Sequence, residues 1–569
     1  MSFPEAWLPR SVTSLGGYSW RRFSHDLAAG VTVGLVALPL AMAFGIASGV
    51  TPQAGLYTAV VAGFVISALG GSRVQIGGPT GAFVVIVAGI VARFGTSGLA
   101  LVTLMAGAML VVMGVTGLGS AVKFIPRPVI LGFTNGIALL IASTQVKDFL
   151  GLKTGAVPSS FLPRMRLLAA NLRTVDGPTV AIACATLAII VLWPRVNRRV
   201  PGSILAVLIC TAGAALLHVR VATVGTKFGG IPRGFPPLTL PHLHAEHIVP
   251  LLAPALTVAM LGAIESLLSA VVADGMAGDR HNSNVELVAQ GVANLVSPLF
   301  GGIPATGAIA RTATNIRSGA LTPVSGIVHA LTLLGILLVA APLARFIPLA
   351  TLAAVLFVVA WNMGEWREIG GVLKLGKADI AVWAATFALT VVTDLTVAVG
   401  LGMGLAALLY IYRIAETTTV ETVTKEYLRE GQAHILQDKE IPESVAILRI
   451  HGPFLFGATQ RLEEATEDLS GFPAIVILRL RNMTALDATG LYSLETFAER
   501  LRVSGRTLLL CGARDQPAAL LARADFVEEV GRENILPNVQ AALARARAIE
   551  EAGPAVVSPM EMVEASISV

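Results

Sequence analysis

About fourteen apolar stretches follow one another through the first 413 residues, and this pattern constrains the fold more than any other feature of the chain. A helix that crosses a bilayer needs roughly 20 apolar residues, and these stretches are long enough to cross or half cross it, although several are shorter than a full span. Only 14% of the residues are charged, against roughly 25% in an average soluble domain. The pattern therefore predicts a polytopic α-helical membrane protein. The predicted segments lie near residues 27–48, 54–70, 79–92, 98–119, 128–146, 178–193, 203–217, 250–272, 284–299, 306–316, 323–341, 347–361, 378–392 and 394–413.

The segments form two sets of about seven, one in each half of the membrane region. An odd number of crossings per set places the two halves in opposite orientations, so we expect an inverted repeat. After residue 413 the composition becomes polar, and short apolar strands then alternate with helices, as in a small α/β domain. The predicted divisions are an N-terminus (1–26), a transmembrane domain (27–413) with repeats near 27–217 and 250–413, a linker (414–443), a soluble domain (444–550) and a disordered tail (551–569).

The basic residues indicate topology. Most Lys and Arg between the segments fall on one side, which is predicted to be cytoplasmic and to hold both termini. The loop with Lys147 and Arg164 falls on the other side and is the exception. The net charge of +5 is small for 569 residues, so no nucleic-acid partner is expected. The N-terminus lacks the apolar core of a cleavable signal, so the first membrane helix is expected to serve as the targeting signal.

One apolar stretch contains an arginine. The sequence from Gly301 to Gly319 is GGIPATGAIARTATNIRSG, with Arg311 near its middle. The glycines and Pro304 argue against a helix before about residue 306, and the following residues favour one. The expected result is a half-helix that begins inside the membrane. Its free N–H groups and the nearby guanidinium would form an anion site.

A second stretch resembles the first. Residues 62–71 (AGFVISALGG) match residues 293–302 (ANLVSPLFGG) loosely, and residues 78–82 then echo residues 304–308. Two interrupted apolar segments in corresponding halves indicate a transporter's binding site. Thr80 and Thr306 can contact the substrate or can cap their half-helices. The predicted substrate-binding residues are Thr80, Gly81, Ala82, Phe83, Ala305, Thr306, Gly307, Ala308 and Arg311.

Glu265 is a second ionisable residue in an apolar run, MLGAIESLLSAVVADG. A carboxylate inside a membrane is costly, so it should be paired, hydrogen-bonded or protonated. One interpretation is a permanent structural partner, such as Arg311 or backbone N–H groups. The other is a proton or sodium site beside the substrate. Arg311 has the matching alternative of a packing cation that Glu265 balances.

Other candidate chemistry is sparse. The three cysteines support no disulfide framework, metal cluster or redox motif. The histidines at 242, 244 and 247 lie in a Pro-rich connection and are interpreted as a solvated loop, not a metal site. No nucleophile with a paired base and no phosphate-binding loop is visible, so no enzyme and no cofactor are expected.

Three sequences in the chain resemble the SulP family of anion transporters, the sulfate permease and solute carrier family. They are DLAAGVTVGLVALPLAMAFGIASG (26–49), QIGGPTGAF (75–83) and NVELVAQGVANLVSPLFGGIPATGAIARTATNIRSGA (284–320). The resemblance implies a seven-plus-seven inverted repeat with core and gate domains, broken third and tenth helices, an elevator-like movement and a homodimer. It also implies that residues 444–550 are a STAS domain.

The resemblance assigns roles to individual residues. It implies that Arg311 belongs to the anion site and that Glu265 couples transport to an ion. The PLAMAFGIASG sequence and residues 259–276 are most similar to the bacterial branch that takes up C4-dicarboxylates with protons. Sodium-coupled bicarbonate members tend to have aspartate at the position of Glu265, so glutamate favours a proton. The implied location is the bacterial inner membrane.

The STAS resemblance includes a departure. Ala488 stands where anti-sigma-factor antagonists have a phosphorylatable serine, while Thr489 next to it can still be modified. Asp487 is expected to cap the following helix. Asp487 and Thr489 are thus candidate regulatory residues, and the domain is expected to provide dimer contacts, stability or docking of a regulatory protein.

The sequence is therefore interpreted as a secondary transporter for small organic anions, with C4-dicarboxylates such as fumarate or succinate as substrates and protons as the coupling ion. Three alternatives remain open. They are a sulfate or bicarbonate transporter working by symport or exchange, an anion channel, and a membrane sensor whose output is the STAS domain.

Overall fold

The computed structural model describes residues 7–14, 16–119, 126–155, 157–197, 201–238, 248–374, 376–393, 395–422, 441–524 and 526–552. Contacts divide the chain into two compact units, Met1–Ala406 and Ala407–Val569. Most of the predicted linker, the predicted disordered tail from residue 553 onward, and His242, His244 and His247 lie outside the described residues.

The first unit is helical. Its helices are α1 (Arg10–Thr13), α2 (Trp20–Ala47), α3 (Pro52–Leu69), α4 (Gly81–Val115), α5 (Arg127–Leu150), α6 (Phe161–Ala170), α7 (Gly177–Val196), α8 (Gly202–Leu216), α9 (Val224–Phe228), α10 (Ile248–Ala277), α11 (Ser283–Val296), α12 (Ile309–Arg317), α13 (Val324–Val339), α14 (Leu349–Met363), α15 (Trp366–Val372), α16 (Lys377–Val392) and α17 (Leu395–Thr417), which runs on into the second unit. Short 3₁₀ helices lie at Leu172–Thr174, Ser297–Phe300 and Ala341–Phe346. Seven helices among the described residues are long and apolar enough to cross a membrane, and Gly202–Leu216 and Val324–Val339 are shorter apolar helices.

Helix α4 contains two of the predicted segments. Gly95 has φ 68° and ψ −172°, a conformation outside the helical region, so the chain turns there between residues 81–94 and residues 96–115. The first of these parts and the nine-residue α12 are both shorter than the roughly 20 residues of a full crossing. They are the third and tenth segments of the chain. The expectation of broken third and tenth helices is confirmed.

The helices pack in two groups. Helices α2, α3 and α4 of the first repeat pack with α10, α11, α12 and α13 of the second. Helices α5, α7 and α8 pack with α14 and α16. The groups correspond to the expected core and gate. Each contains helices from both repeats.

Small residues permit the close contacts within the core group. A Cβ on Gly30 of α2 would lie 2.4 Å from the carbonyl oxygen of Ser325 at the start of α13. A Cβ on Gly291 of α11 would lie 2.6 Å from the backbone nitrogen of Val111 in α4. Without a hydrophobic driving force in lipid, such close packing is a main source of helix association.

Two buried carboxylates connect the repeats near the broken segments. Asp26 Oδ1 in α2 accepts hydrogen bonds from the backbone N–H groups of Leu321, at 2.7 Å, and of residue 322, at 3.0 Å. Glu286 Oε2 in α11 accepts from the N–H groups of Gly71, at 2.9 Å, and of residue 72, at 3.2 Å. Each carboxylate thus holds a loop of the opposite repeat, because a charged acceptor strengthens a hydrogen bond.

The second unit contains a five-stranded sheet in the order β3 (Thr419–Thr422), β4 (Val445–Phe454), β5 (Ile475–Leu486), β6 (Thr507–Cys511) and β7 (Ile535–Leu536). The first pair is antiparallel and the other pairs are parallel. Its helices are α18 (Thr459–Ala465), α19 (Ala488–Val503), α20 (Asp515–Arg523), α21 (Phe526–Val530) and α22 (Val539–Ala552). Burial raises the pKa of Cys511 in β6 to about 11, so this thiol stays protonated at neutral pH.

Candidate functional site

A two-stranded bridge joins the two broken segments. The strands are β1 (Gly77–Gly78) and β2 (Thr306–Gly307), and they pair in antiparallel register with Gly77 opposite Gly307 and Gly78 opposite Thr306. The N–H of Ala308 also donates to the carbonyl of Ile76 at 2.8 Å. The bridge brings together the starts of α4 and α12, which are more than 200 residues apart in sequence.

Both the backbone conformation of Gly78 and the limited space around it favour glycine at this position. Its φ is +145°, where residues with a side chain are strained. A Cβ there would lie 2.7 Å from Arg311 Nη1 and 3.5 Å from the Cα of Ala59 in α3. A glycine at this position therefore leaves room for the guanidinium.

Neither helix start carries a side-chain cap. Thr80 is the N-cap residue of α4 and Ala308 that of α12, and neither makes a side-chain capping hydrogen bond. The first N–H groups of a helix have no partner within the helix and attract anions. Helix α12 begins at Ile309 instead of the predicted residue 306, because Thr306 and Gly307 are paired in β2.

Arg311 crosses from the second repeat to the first. Its side chain is 2% exposed, and Nη2 donates a hydrogen bond to the carbonyl oxygen of Pro79, just before α4. The other nitrogen, Nη1, is buried and has no hydrogen-bond partner in the described structure. A buried guanidinium with an unused donor is suited to bind an anion.

The two candidate threonines differ. The Thr306 hydroxyl lies 2.6 Å from the Ser266 hydroxyl in α10 and donates to the carbonyl of Gly262 at 3.1 Å. The Ser266 hydroxyl also accepts from the N–H of Gly307 at 3.1 Å. The Thr80 hydroxyl is buried and has no hydrogen bond of normal geometry. Thr306 is thus committed to the scaffold, while Thr80 has hydrogen-bonding capacity to offer a ligand.

Ala305 is also committed to the scaffold. Asn294 of α11 accepts from its N–H and donates to its carbonyl, both at 2.8 Å. Both backbone groups of Ala305 are therefore paired. The predicted binding residue lies in the site's framework and has no free backbone group for a ligand.

Glu265 lies in α10 and is 8% exposed. Its carboxyl group is near the Thr80 hydroxyl, and the described structure has no ion pair between Glu265 and Arg311 within 4.0 Å. The predicted alternative in which the two residues form a permanent pair is therefore not what the structure has. The carboxylate and the cation instead flank the start of α4 with their charges uncompensated by each other.

The start of α4 faces both helix groups. A Cβ on Gly81 would lie 3.0 Å from Ile141 in α5, 3.4 Å from Phe44 in α2 and 3.5 Å from Met363 in α14. Two of these residues belong to the gate group, so the space before α4 lies between the core and the gate. Phe83 and Ala82 are buried in the core beside this space. Apolar walls with a few convergent polar groups are typical of small-ligand sites.

A separate cavity of about 730 Å³ lies between the end of α2, the start of α3, the kink of α4 and α9. Lys227 and residues 301–303 are among its lining residues, whereas Thr80, Glu265 and Arg311 are not. This cavity therefore touches the chain that leads into β2 but is distinct from the space in front of Arg311.

Sequence reasoning missed His329, which lies in the apolar helix α13. The side chain is fully buried, and both ring nitrogens lack hydrogen-bond partners among the described residues. The rule that singled out Glu265 applies equally to a histidine in the run VSGIVHALTLLGILLV. The signal was therefore present in the sequence.

In the second unit, Asp487 caps α19 as expected. Its carboxylate accepts from the N–H of Gly490 at 2.8 Å and from that of Phe456 at 3.1 Å. Ala488 and Thr489 are exposed at the start of the helix. The regulatory role of Asp487 and Thr489 stays a prediction. Among the described residues, no group of three or more His, Cys, Asp or Glu side chains is placed to hold a metal ion.

Comparisons with known proteins agree with both units. Residues 23–386 match the model of the sulfate permease family, and residues 437–542 match that of the STAS domain. The chain is 44% identical over 520 residues to YvdB of Bacillus subtilis (strain 168), provisionally named a sulfate transporter, covering 91% of this chain and 97% of the relative. It is 32% identical over 552 residues to the bicarbonate transporter BicA of Picosynechococcus sp. (strain ATCC 27264 / PCC 7002 / PR-6), covering 93% and 95%.

A solved structure extends the likeness to the fold of the whole chain. Murine Solute Carrier 26 family member A9, an anion transporter in the inward-facing state, superposes with a TM-score of 0.85 over 96% of this chain and 95% of that one. At 18% identity this likeness concerns the fold. The names of these relatives refer to sulfate, bicarbonate and anions, and none refers to a dicarboxylate.

Proposed function

This chain belongs to the sulfate permease family of anion transporters, and on that premise we propose that it is a secondary transporter that takes up small organic anions together with protons. The proposed substrates are C4-dicarboxylates such as fumarate and succinate. The observation that supports an anion site is the uncapped start of α4, where the buried Arg311 reaches Pro79 with Nη2 and keeps Nη1 unpaired.

The proposed binding mode uses the groups that the scaffold leaves free. One carboxylate of the substrate accepts from Arg311 Nη1 and from the first N–H groups of α4, at Gly81 and Ala82. The Thr80 hydroxyl adds a donor. These groups act together because aligned helix N–H groups and a guanidinium both favour negative charge.

Glu265 is proposed as the proton site. An ionised carboxylate near Thr80 would repel the substrate, and taking it out of water without a cation is costly. Binding of a proton removes that charge, so the anion and the proton bind together. The resulting neutral carboxyl can move through the membrane region at a lower energetic cost than the ionised one. Sodium is the alternative coupling ion.

The proposal also covers the oligomeric state, the location, the movement of the helix groups and the role of the STAS unit. The protein is proposed to act as a homodimer in a bacterial inner membrane, with both termini in the cytoplasm. The gate and core groups are proposed to move relative to each other in an elevator-like manner. The STAS unit is proposed to contribute dimer contacts or to dock a regulatory protein.

The deciding experiment is uptake of labelled fumarate into proteoliposomes with an inward proton gradient. Unlabelled succinate, sulfate and bicarbonate serve as competitors, and Glu265→Gln is measured alongside the wild type. We expect uptake that follows the gradient, competition by succinate, and loss of gradient dependence in the variant. Wild-type uptake that ignores the proton gradient would refute proton coupling.

The second candidate is a sulfate or bicarbonate transporter, which the names of the relatives favour. Saturable sulfate or bicarbonate uptake that fumarate does not inhibit would support it and would retain the anion site at Arg311. A channel would instead show fluxes far above carrier rates with no dependence on a second gradient. For the sensor alternative, transport that persists after deletion of residues 421–569 would count against it.

A further inference from the structure

His329 is surrounded by polar groups that the protein does not use fully. A Cβ on Gly63 of α3 would lie 3.6 Å from His329 Cε1 and 3.2 Å from the carbonyl oxygen of Gly77 in β1. The imidazole therefore lies against α3, beside the strand bridge. A Cβ on Gly78, the next residue of β1, would lie 2.7 Å from Arg311 Nη1, so the guanidinium lies beside the same strand as the imidazole.

Other buried polar atoms without partners come from the neighbouring helices. They are Nη1 of Arg311 and Oδ1 of Asn315 in α12, and Oγ of Ser67 in α3. Asn315 lies one turn beyond Arg311 and donates to the Ser325 hydroxyl at 2.8 Å, one turn before His329 on α13. A Cβ on Gly326 would lie 2.1 Å from the Ser67 oxygen. Asn315 and Ser67 thus lie beside the turn of α13 that precedes His329, and each has a buried polar atom without a partner.

Such a cluster is unusual for a purely structural region. The large majority of buried polar side-chain atoms in proteins have a partner, and each unpaired one costs roughly 1–3 kcal/mol. An imidazole can change its charge near neutral pH, whereas a guanidinium stays charged. The cluster therefore joins a fixed cation to a group that can become a second cation.

Arg311 and His329 together could balance the charge of a doubly charged substrate. A doubly charged anion at Arg311 has one charge balanced by the guanidinium and one left over. In a low-dielectric interior, burying an unbalanced charge costs free energy, and this free-energy cost falls when a second cation forms nearby. Without the anion, two adjacent cations would repel each other, so the imidazole beside Arg311 is neutral when the site is empty.

We propose that His329 takes up one proton from water each time a doubly charged anion binds beside Arg311, and releases it when the anion leaves. No covalent bond changes: the proton moves from the aqueous phase to an imidazole nitrogen, and the summed charge of the anion, Arg311 and His329 becomes zero. This inference rests on the proposed anion transport and adds a second proton-binding residue that distinguishes divalent from monovalent anions.

The other ionisable groups on the elements packed against α13 are engaged elsewhere. Arg311 is the charged group that acts on the imidazole. Glu265 of α10 is near Thr80. The remaining groups and their neighbours are Asp26 with residues 321 and 322, His25 beside Gly319, Tyr57 beside Gly301, and the Arg345 guanidinium over the Phe346 ring. Arg21 and Arg22 are exposed at the start of α2.

The test counts protons bound with each anion. Purified full-length protein is titrated calorimetrically near pH 7 with fumarate and sulfate, which are dianions, and with chloride. Each titration is repeated in two buffers with different protonation enthalpies, which gives the protons taken up per anion. Wild type, His329→Gln and Glu265→Gln are compared. His281→Gln is the matched control, because His281 is hydrogen-bonded to Asp274 outside this cluster.

We expect wild type to take up about one more proton with a dianion than with chloride. His281→Gln should keep both proton counts, Glu265→Gln should lower both counts and keep the difference between them, and His329→Gln should lose the difference while still binding the anion. Equal proton counts for dianions and chloride in wild type would overturn the proposal, and so would an undiminished difference in His329→Gln. The wild-type and Glu265→Gln titrations decide the matter if His329→Gln does not fold. If no anion binds wild type, the proposed function itself fails.

Discussion

The starts of α4 and α12 face each other across one strand bridge, yet they are built differently. On the α12 side, Thr306 is hydrogen-bonded to α10 and Ala305 is held by Asn294. On the α4 side, the Thr80 hydroxyl is unpaired and the Pro79 carbonyl accepts from Arg311. One half therefore forms the scaffold and supplies the cation, and the other half presents the free groups. The two repeats are loosely similar in sequence, but these corresponding segments have different roles in the site.

The largest expected effect tests the cation that joins the two halves. Arg311→Ala should weaken anion binding by about 3 kcal/mol, roughly 100-fold in Kd, because charged hydrogen bonds are lost. Thermal stability should stay equal or rise, since an incompletely paired buried charge is removed. Binding is measured by calorimetry, and stability by the melting temperature of the detergent-solubilised protein. Arg317→Ala, at the exposed end of the same helix, is the control. Wild-type affinity in Arg311→Ala would place the anion elsewhere.

The next effect concerns the bridge itself. Gly78→Ala should lower affinity roughly tenfold, corresponding to about 1.4 kcal/mol, because the new Cβ would lie 2.7 Å from Arg311 Nη1. Gly89→Ala in α4 has no atom within 4 Å of its new Cβ and serves as the control. Competition binding on both variants measures the difference. Equal affinities in the two variants would show that the bridge does not position the guanidinium.

Substitutions of the two threonines test directly whether Thr306 belongs to the scaffold and Thr80 contacts the anion. Thr80→Ala should reduce affinity about three- to tenfold with little change in melting temperature, because its hydroxyl makes no hydrogen bond of normal geometry within the protein. Thr306→Ala should do the reverse, lowering the free energy of unfolding by roughly 1–2 kcal/mol while leaving affinity within about twofold. Affinity and melting temperature are measured on the same preparations. If Thr80→Ala lowered stability and Thr306→Ala lowered affinity, the roles given to the two helix starts would be wrong.

The smallest effect comes from a helix start that its own side chain caps. Asp487→Ala removes the carboxylate that caps α19, so the second unit should lose about 1 kcal/mol of stability. Thr489→Ala, at an exposed position of the same turn, should lose none. Chemical denaturation followed by circular dichroism compares them. Neither variant should change anion affinity, and a shift in Kd for Asp487→Ala would show that the cap of α19 influences anion binding.

Much of this architecture could be predicted because it depends on local pattern. The apolar periods identify the helices, and the glycines and prolines identify the broken segments. The sequence pattern predicts a start of α12 three residues too early, because Thr306 and Gly307 pair with β1, and no local pattern reports contacts between residues 228 and 230 positions apart. The partner of Arg311 was missed for the same reason. Its guanidinium bonds a backbone carbonyl of Pro79, and a carbonyl leaves no mark in a sequence.

The buried ionisable groups show the other limit. Glu265 was identified because it stands in the middle of an apolar run. Asp26 and Glu286 stand near the ends of their apolar runs. In the sequence they look like solvated charges, although both are fully buried in the structure. His329 was overlooked although its surroundings in the sequence are as apolar as those of Glu265. A position near the end of a helix does not reveal whether a loop from the other repeat covers it.

The bridge between β1 and β2 has a thermodynamic consequence. It fixes the distance between two helix starts whose groups would both face the anion, and Arg311 joins the same two elements through its hydrogen bond to Pro79. A coordination shell that is crosslinked in this way keeps its shape whichever side of the membrane it opens to. Its intrinsic dissociation constant for the anion should then be the same on both sides of the membrane, so any difference in apparent affinity between the two sides would reflect the proton concentration and the membrane potential.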